Sequence, residues 1–307
     1  MADPQTERVE GALTYVRIEE LIRQPVQGRF DAAHLKEVHR RIFQDLPHHE
    51  PGEFRADSPG YVKSRRLEST GERHHVHYAP RKRVDERLEA TLADVQGGRA
   101  LRSLDPDAFA KRMSKLYGDL DFLHPFKEGN SRTLRAFTTQ LAKAAGYALD
   151  WTWSGADAQS PDRLYRARDK EVNARAFPGL DQARAAKTDN RVEYEAWVYV
   201  LARYRESPDL QTLVREATFS ERDLQAARAF KQAATPAELE KAAWRFPVVR
   251  PAVERLRLAE LFANEKIRDP SSRANFLVDV RERLVKDLSR GKALAEPQRI
   301  IDAQREL

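Results

Sequence analysis

The twelve residues HPFKEGNSRTLR, His124 to Arg135, bring a histidine, a carboxylate, a glycine turn and two arginines into one short segment. Pro125 disfavours helical geometry at the residue before it, so the His124 imidazole is expected in a loop or on a final helical turn. Gly129 frees the backbone to bend, and a new helix is predicted from Asn130 or Ser131. On a wheel of about 100° per residue, Leu134, Phe137, Leu141, Ala144 and Ala145 share one face, which is therefore core. Gly146 closes that helix as its C-terminal cap.

Arg132 and Arg135 fall on the other side of the first turn, where the helix dipole is already positive and like charges repel by about 0.2–0.5 kcal/mol. An anion reverses the sign of that cost. A polyphosphate would accept the free N–H groups of the helix start together with two guanidinium forks, and Glu128 is placed to hold Mg²⁺ against the same phosphates. A histidine alone at a helix end is ordinarily a packing residue. Here its register with Glu128, Gly129, Asn130 and the arginines favours a general base, and the inferred reaction class is phosphoryl or nucleotidyl transfer.

The segment resembles the signature of Fic-domain proteins, His-x-Phe-x-(Asp or Glu)-Gly-Asn-Gly-Arg-x-x-Arg, at every fixed position but one. Most members of that family transfer AMP from ATP to a hydroxyl of a target protein. The resemblance implies that His124 deprotonates the target hydroxyl, Phe126 anchors the loop in the core and Glu128 binds Mg²⁺. It further implies that Gly129, Asn130 and Ser131 line an anion hole, that Arg132 pairs with the β- and γ-phosphates, and that Arg135 pairs with the γ-phosphate. Ser131 stands where the family has its second glycine. With helical φ it costs little and offers a hydroxyl to phosphate; with positive φ it is strained by about 1–2 kcal/mol. A branch with lysine at this position binds the nucleotide inverted and acts as a kinase; serine is small and neutral, so the AMP-transfer pose is expected.

The similarity extends over residues 8 to 205. FDAAHLKEVHRRIFQDLPHHEPGEFR, Phe30 to Arg55, is similar to the family's early helix and the turn after it, with Pro51 in place of an alanine, and Leu35, Val38, Ile42 and Phe43 form its apolar stripe. Asp105 and Pro106 start a helix with Phe109, Met113, Leu116, Tyr117 and Leu120 at helical spacing. Tyr147 to Trp153 is an apolar-aromatic run of the kind that ends the family's central helix pair. Tyr61 to Pro80 reads as two extended runs around Ser69, Thr70 and Gly71, a hairpin. The resemblance makes it a flap that holds the target by strand addition, with His75, Val76, His77 and Tyr78 as the docking strand. His74, His75 and His77 cannot all point inward from a strand, so zinc is not expected there. His48 and His49, beside Pro47, read as a solvated turn.

The expected architecture is mainly α: a Fic-type helical bundle with a short β-hairpin flap over 1–205, then a helical region of unknown role over 206–307, joined by Glu206, Ser207, Pro208 and Asp209. Within that second region Ser220, Thr235 and Asp269 are expected to begin helices, and Leu256, Leu258, Leu261 and Phe262 to form an apolar stripe. The first ten residues lack the pattern of a signal peptide and no run reaches membrane-spanning length, so a cytoplasmic place is expected, or a host cytosol if the protein is delivered as an effector. Cysteine is absent, which excludes disulfides and thiol catalysis. The net charge of +6 arises from 54 basic and 48 acidic residues, mostly interleaved along helices, so nucleic-acid binding is not expected.

Many Fic proteins are restrained by a helix carrying (Ser or Thr)-x-x-x-Glu-(Gly or Asn). TERVEG, Thr6 to Gly11, fits the letters, but only about twenty residues separate it from the early helix, an arrangement that resembles toxins whose inhibitor is a separate small antitoxin. That antitoxin and a target protein with a modifiable Tyr, Ser or Thr are the expected partners. For the resembling toxins the targets are type II topoisomerase subunits. The alternatives are a non-catalytic Fic scaffold, in which Ser131 spoils the anion hole, and a kinase-like phosphotransferase.

Overall fold

Eight of the described helices begin in the same way: Asp31, Asp105, Asp181, Asn190, Asp209, Ser220, Thr235 and Asp269 each turn a side-chain oxygen onto backbone N–H groups of the turn that follows. A computed structural model describes residues 4–56, 58, 60–151, 160–291 and 294. It divides the chain into two compact units, 1–218 and 219–307.

The first unit holds α1 (Pro4–Arg23), α2 (Ala32–Phe43), the strands β1 (Tyr61–Arg66) and β2 (Arg73–Tyr78), α3 (Arg81–Ala93), α4 (Pro106–Leu123) and α5 (Asn130–Ala144). α6 (Ser160–Ala176), the short α7 (Gln182–Ala185) and α8 (Arg191–Ala196), and α9 (Leu210–Ala217) complete it. α4 is the central rod and packs against α3, α5, α6 and α9. Its residues Phe109, Met113, Leu116, Tyr117 and Leu120 are all buried, as the spacing predicts. Leu35, Val38, Ile42 and Phe43 of α2 and Leu134, Phe137 and Leu141 of α5 enter the same core. Each such side chain contributes about 1.5–3 kcal/mol through burial. α5 ends as expected, with Gly146 at φ 89° after the last helical turn. The apolar run from Tyr147 keeps Tyr147, Leu149 and Trp151 buried, while Thr152 and Trp153 lie outside the described residues.

The boundary between the units differs from the expected 205/206. Asp209 is the N-cap of α9, and Leu210, Leu213, Val214 and Ala217 pack into the first unit's core, so that unit continues to Thr218. The apolar face of α9 outweighs the loop-like composition before it.

The second unit contains α10 (Glu221–Gln232), α11 (Pro236–Arg245), α12 (Arg250–Lys266) and α13 (Pro270–Ser289). Ser220, Thr235 and Asp269 cap their helices as the sequence predicts, Thr235 with Glu238 in a reciprocal capping box. Ala226, Phe230, Leu239, Val253, Leu256, Leu284 and Leu288 make its core. The expected stripe on α12 is not one face: Leu256 is buried but Leu258, Leu261 and Phe262 are exposed, because residues two apart on a helix point to opposite sides.

β1 and β2 pair antiparallel with Tyr61 opposite Tyr78 and Arg66 opposite Arg73. What seats this hairpin is a polar face of α6. Asp162 accepts from the N–H groups of Glu68 and Ser69 at 2.8 and 2.7 Å. One helical turn pair further on, Asp169 takes Arg65 and the buried His74, the latter at 2.8 Å. No described helix is long and apolar enough to cross a membrane.

Candidate active site

The HPF segment forms the turn between α4 and α5. His124 is the C-cap of α4, with φ 47° and ψ 57°, and its N–H donates to the Leu120 carbonyl at 3.0 Å. This left-handed conformation costs about 1 kcal/mol for a non-glycine residue, and the surroundings must hold it. Three side chains do so. Buried Arg55 donates from Nε to the His124 carbonyl at 2.8 Å and from Nη2 to the Ala79 carbonyl, tying the turn to the end of the flap. The Asn130 amide brackets Phe126, accepting from its N–H at 3.0 Å and donating to its carbonyl at 2.7 Å. His39 accepts from the Gly52 N–H on Nδ1, so Nε2 carries the proton that it gives to the Glu128 carbonyl at 3.1 Å. His39 also lies flat on Phe126, ring centroids 3.9 Å apart. Phe126 is wholly buried.

Within this frame the His124 imidazole is 4% exposed and packs on the Tyr78 ring at 3.8 Å. Nδ1 faces two oxygens of Asp121, the backbone carbonyl at 3.3 Å and carboxylate Oδ1 at 3.8 Å. Both are acceptors, which selects the Nδ1–H tautomer and leaves the Nε2 lone pair free. Nε2 is buried and has no partner among the described residues. Burial lowers the His124 pKa to about 4, against the opposing pull of Asp121, so the ring is neutral at physiological pH and able to accept a proton.

Asp121 is itself held by Arg168 of α6, whose Nε and Nη2 donate to the two carboxylate oxygens at 2.9 and 2.8 Å. Both residues are about fully buried, at 1% and 2% exposure. Burial opposes the carboxylate charge, yet the Arg168 guanidinium and the His124 hydrogen bond hold the Asp121 pKa well below the usual range. The third arm of Arg168, Nη1, donates to the Ser131 hydroxyl at 3.0 Å. The hydroxyl accepts here, so its own O–H proton is still available to donate. Ser131 lies in regular helix without positive φ, so it is unstrained, and its side chain completes the Arg168 fork.

Gly129 precedes α5 with φ 78°. A Cβ there would sit 2.1 Å from Cζ of Phe43, so both the backbone angle and the space demand glycine. Gly129→Ala is expected to cost at least about 2 kcal/mol, combining left-handed strain with overpacking; a urea midpoint equal to the parent's would refute it. No side chain caps the helix start, so the N–H groups of Asn130, Ser131 and Arg132 are open to an anion. The Asn130 side chain is spent on Phe126, so its part in an anion hole is confined to the backbone.

Arg132 crosses the Phe43 ring, its Cζ 4.8 Å from the centroid, and donates to Thr14 Oγ1 of α1 at 2.9 Å. Arg135 donates from Nε to the Ser131 carbonyl at 3.4 Å. Neither forms an ion pair among the described residues, and the Glu10 and Glu128 carboxylates act on Arg132 only from further away, so two cations stand in the first turns of one helix. Glu128 is half exposed and paired only with Lys63 of β1 in the described ion pairs, at 2.8 Å. A single solvent-facing carboxylate of this kind could hold Mg²⁺, which keeps most of its water and shares phosphate ligands.

The flap departs from expectation in one respect. Val76 and Tyr78 are buried, and Asn173 of α6 accepts from the His77 N–H at 3.4 Å and donates to the His75 carbonyl at 3.3 Å. The outer edge of His75, Val76, His77 and Tyr78 is therefore covered. The open edge belongs to β1: the register places the main-chain groups of Val62 and Ser64 outward, and Val62 is 51% exposed. Tyr61 fixes this strand beside the turn by donating to the Lys127 carbonyl at 2.9 Å.

Burial also lowers His39 to about 4. Unfolded, His39 and His124 bind a proton near pH 6.5; folded, they bind it only near 4. Between these values the unfolded chain holds more protons, so stability falls as the pH falls, and the loss levels off below about 4. The expected loss is on the order of 1–2 kcal/mol per histidine between about pH 6.5 and 5. Urea midpoints at neutral and mildly acidic pH that coincide would contradict neutral burial.

Residues 29–142 match the Fic/DOC family. This segment is a Fic domain. The Fic domain's curated relatives include protein adenylyltransferase VbhT of Bartonella schoenbuchensis, 38% identical over 150 residues that make up 47% of this chain and 28% of that protein. A probable protein adenylyltransferase of Sinorhizobium fredii is 34% identical over 125 residues, 40% of this chain and 58% of that one. The chain thus spans about a quarter to three-fifths of the length of these relatives. Among solved structures, the BepC effector protein of Bartonella tribocorum aligns at 18% identity and a TM-score of 0.47, covering 72% of this chain and 90% of that one.

Of the residues that the sequence singled out, His124, Glu128 and the start of α5 are brought together by one turn. Arg55, Asp121, Arg168 and His39, which support that turn, escaped sequence reasoning. For Arg55 the resemblance to the family's early turn held a signal; for Asp121 and Arg168 none stood in their neighbourhood.

Proposed function

We propose that this Fic domain transfers AMP from ATP to a hydroxyl side chain of a target protein. The observation that carries the reading is the unpartnered, neutral Nε2 of His124, held in one tautomer beside an uncapped helix start flanked by two arginines without carboxylate partners. The adenylyltransferase names of the relatives support it.

In this reading a target segment adds to the open edge of β1, which presents its Tyr, Ser or Thr hydroxyl to His124. Nε2 takes the hydroxyl proton as the oxygen bonds to the α-phosphorus, and the bond from that phosphorus to the bridging oxygen breaks, releasing pyrophosphate. The N–H groups of Asn130, Ser131 and Arg132, with the Arg132 and Arg135 guanidiniums, neutralise charge on the phosphates. Glu128 would hold Mg²⁺, which when bound would supply further charge neutralisation. Ser131 engaged by Arg168 leaves nothing at that position to invert the nucleotide. The proposal extends, on the resemblance, to a toxin or effector role in a bacterial or host cytosol, with type II topoisomerase subunits as targets and a separate small antitoxin as inhibitor.

Incubation of the full chain with α-labelled or γ-labelled ATP, Mg²⁺ and bacterial lysate tests the reaction. Label on protein from the α-position only is the expected result. Label from the γ-position establishes a kinase instead, and neither label establishes a binding scaffold.

A further inference from the structure

The turn Pro47–His49 was expected to be solvated, but His49 is 8% exposed and both of its histidines converge on one carboxylate from another element. Glu10 of α1 receives His48 Nε2 on Oε1 at 2.7 Å and His49 Nε2 on Oε2 at 3.2 Å. One ligand atom from each of the three residues lies within 4.8 Å of the others, the sole such grouping of three or more His, Cys, Asp or Glu among the described residues.

We propose that Glu10, His48 and His49 form a binding site for a transition-metal dication of the Zn²⁺ class, which clamps α1 onto the turn after α2. Two imidazole nitrogens and one carboxylate with a fourth position left to water are a donor set that zinc accepts. Tetrahedral ligand atoms about 2.0–2.1 Å from zinc lie roughly 3.4 Å apart, so the two nitrogen–oxygen contacts need to open by less than an ångström, and all three donors already lie within 4.8 Å of one another. His48 is 59% exposed on its side chain, which leaves a solvent side for the water ligand.

The donors are also held in place by contacts that do not involve one another. The Arg17 fork grips Asp45 through Nε at 2.7 Å and Nη2 at 2.9 Å, pinning α1 two turns beyond Glu10. Thr14, between them, accepts from Arg132. The His49 ring packs on Phe43 at 5.2 Å, and the His49 backbone N–H donates to the Leu46 carbonyl at 3.0 Å. A flexible exposed pair of histidines would lose side-chain entropy on binding; here His49 is already ordered, and that cost falls mainly on the exposed His48.

The test is titration of the full chain with Zn²⁺ by calorimetry and with Co²⁺ by visible absorption. One ion per chain is expected, with the intense d–d bands of four- or five-coordinate cobalt that disappear on addition of EDTA. His48→Gln, at an exposed position that tolerates substitution, and Glu10→Gln are each expected to weaken Zn²⁺ by more than the roughly 10–100-fold that follows loss of a ligand's outer hydrogen-bond partner. Glu128→Ala should leave the affinity unchanged, which separates this site from the nucleotide's Mg²⁺. Absence of low-coordinate cobalt bands, or parental affinity in His48→Gln and Glu10→Gln, overturns the site and leaves a carboxylate hydrogen-bonded by two imidazoles.

Discussion

Replacing His124 by alanine is expected to lower AMP transfer by at least about 10²–10⁴-fold, the usual contribution of a positioned general base, while nucleotide affinity stays near the parental value. The two effects separate because the groups involved are separate. In the proposed pose the phosphates face the start of α5 and the guanidiniums of Arg132 and Arg135, whereas the imidazole projects from the end of α4 against Tyr78. Removing the ring leaves Asp121 satisfied, since both its oxygens still take the Arg168 fork. The fold is therefore expected to survive, which circular dichroism and calorimetric ATP binding would check. Transfer within about tenfold of the parent in a folded variant would show that the base lies elsewhere, because a factor of ten is only about 1.4 kcal/mol of transition-state stabilisation.

What could be read from the sequence was local. Leu134, Phe137 and Leu141 mark the inner face of α5 because their spacing repeats with the helix, and Asp105-Pro106 marks the start of α4 because both residues satisfy needs of the first turn. The hairpin was legible from the lapse of that repeat. The residues that escaped have partners far along the chain. Asp162, Arg168, Asp169 and Asn173 sit in a run of alternating charge that reads as a solvated helix, yet all four are buried because the flap and α4 supply the other half of each contact. The same distance effect reversed the flap: alternation shows a strand, but which edge is open depends on Asn173, 96 residues from His77. His48 and His49 looked solvated beside Pro47 because Glu10 lies 38 residues before the first of them.

The buried Arg168–Asp121 pair gives the second large effect. Arg168→Met is expected to cost about 3–5 kcal/mol, since it strands a carboxylate in an interior site without its counter-charge. Adding Asp121→Leu should recover most of that loss, because apolar replacements of both members of a buried pair are often close to neutral. A double-mutant cycle from urea unfolding measures the coupling. The catalytic readout moves differently. Burial lowers the His124 pKa most, Arg168 lowers it further and Asp121 raises it, so the single variant loses one lowering influence while keeping the raising one, and the acid limb of the transfer profile should shift to higher pH. In the double variant both influences go, and the imidazole loses the carboxylate that faces Nδ1, so stability returns while transfer does not. If Arg168→Met lies within about 0.5 kcal/mol of the parent, as a surface substitution would, the pair does not hold the base. The neutral tautomer of His124 must then be fixed by the Asp121 carbonyl alone, 3.3 Å from Nδ1, which neither substitution removes.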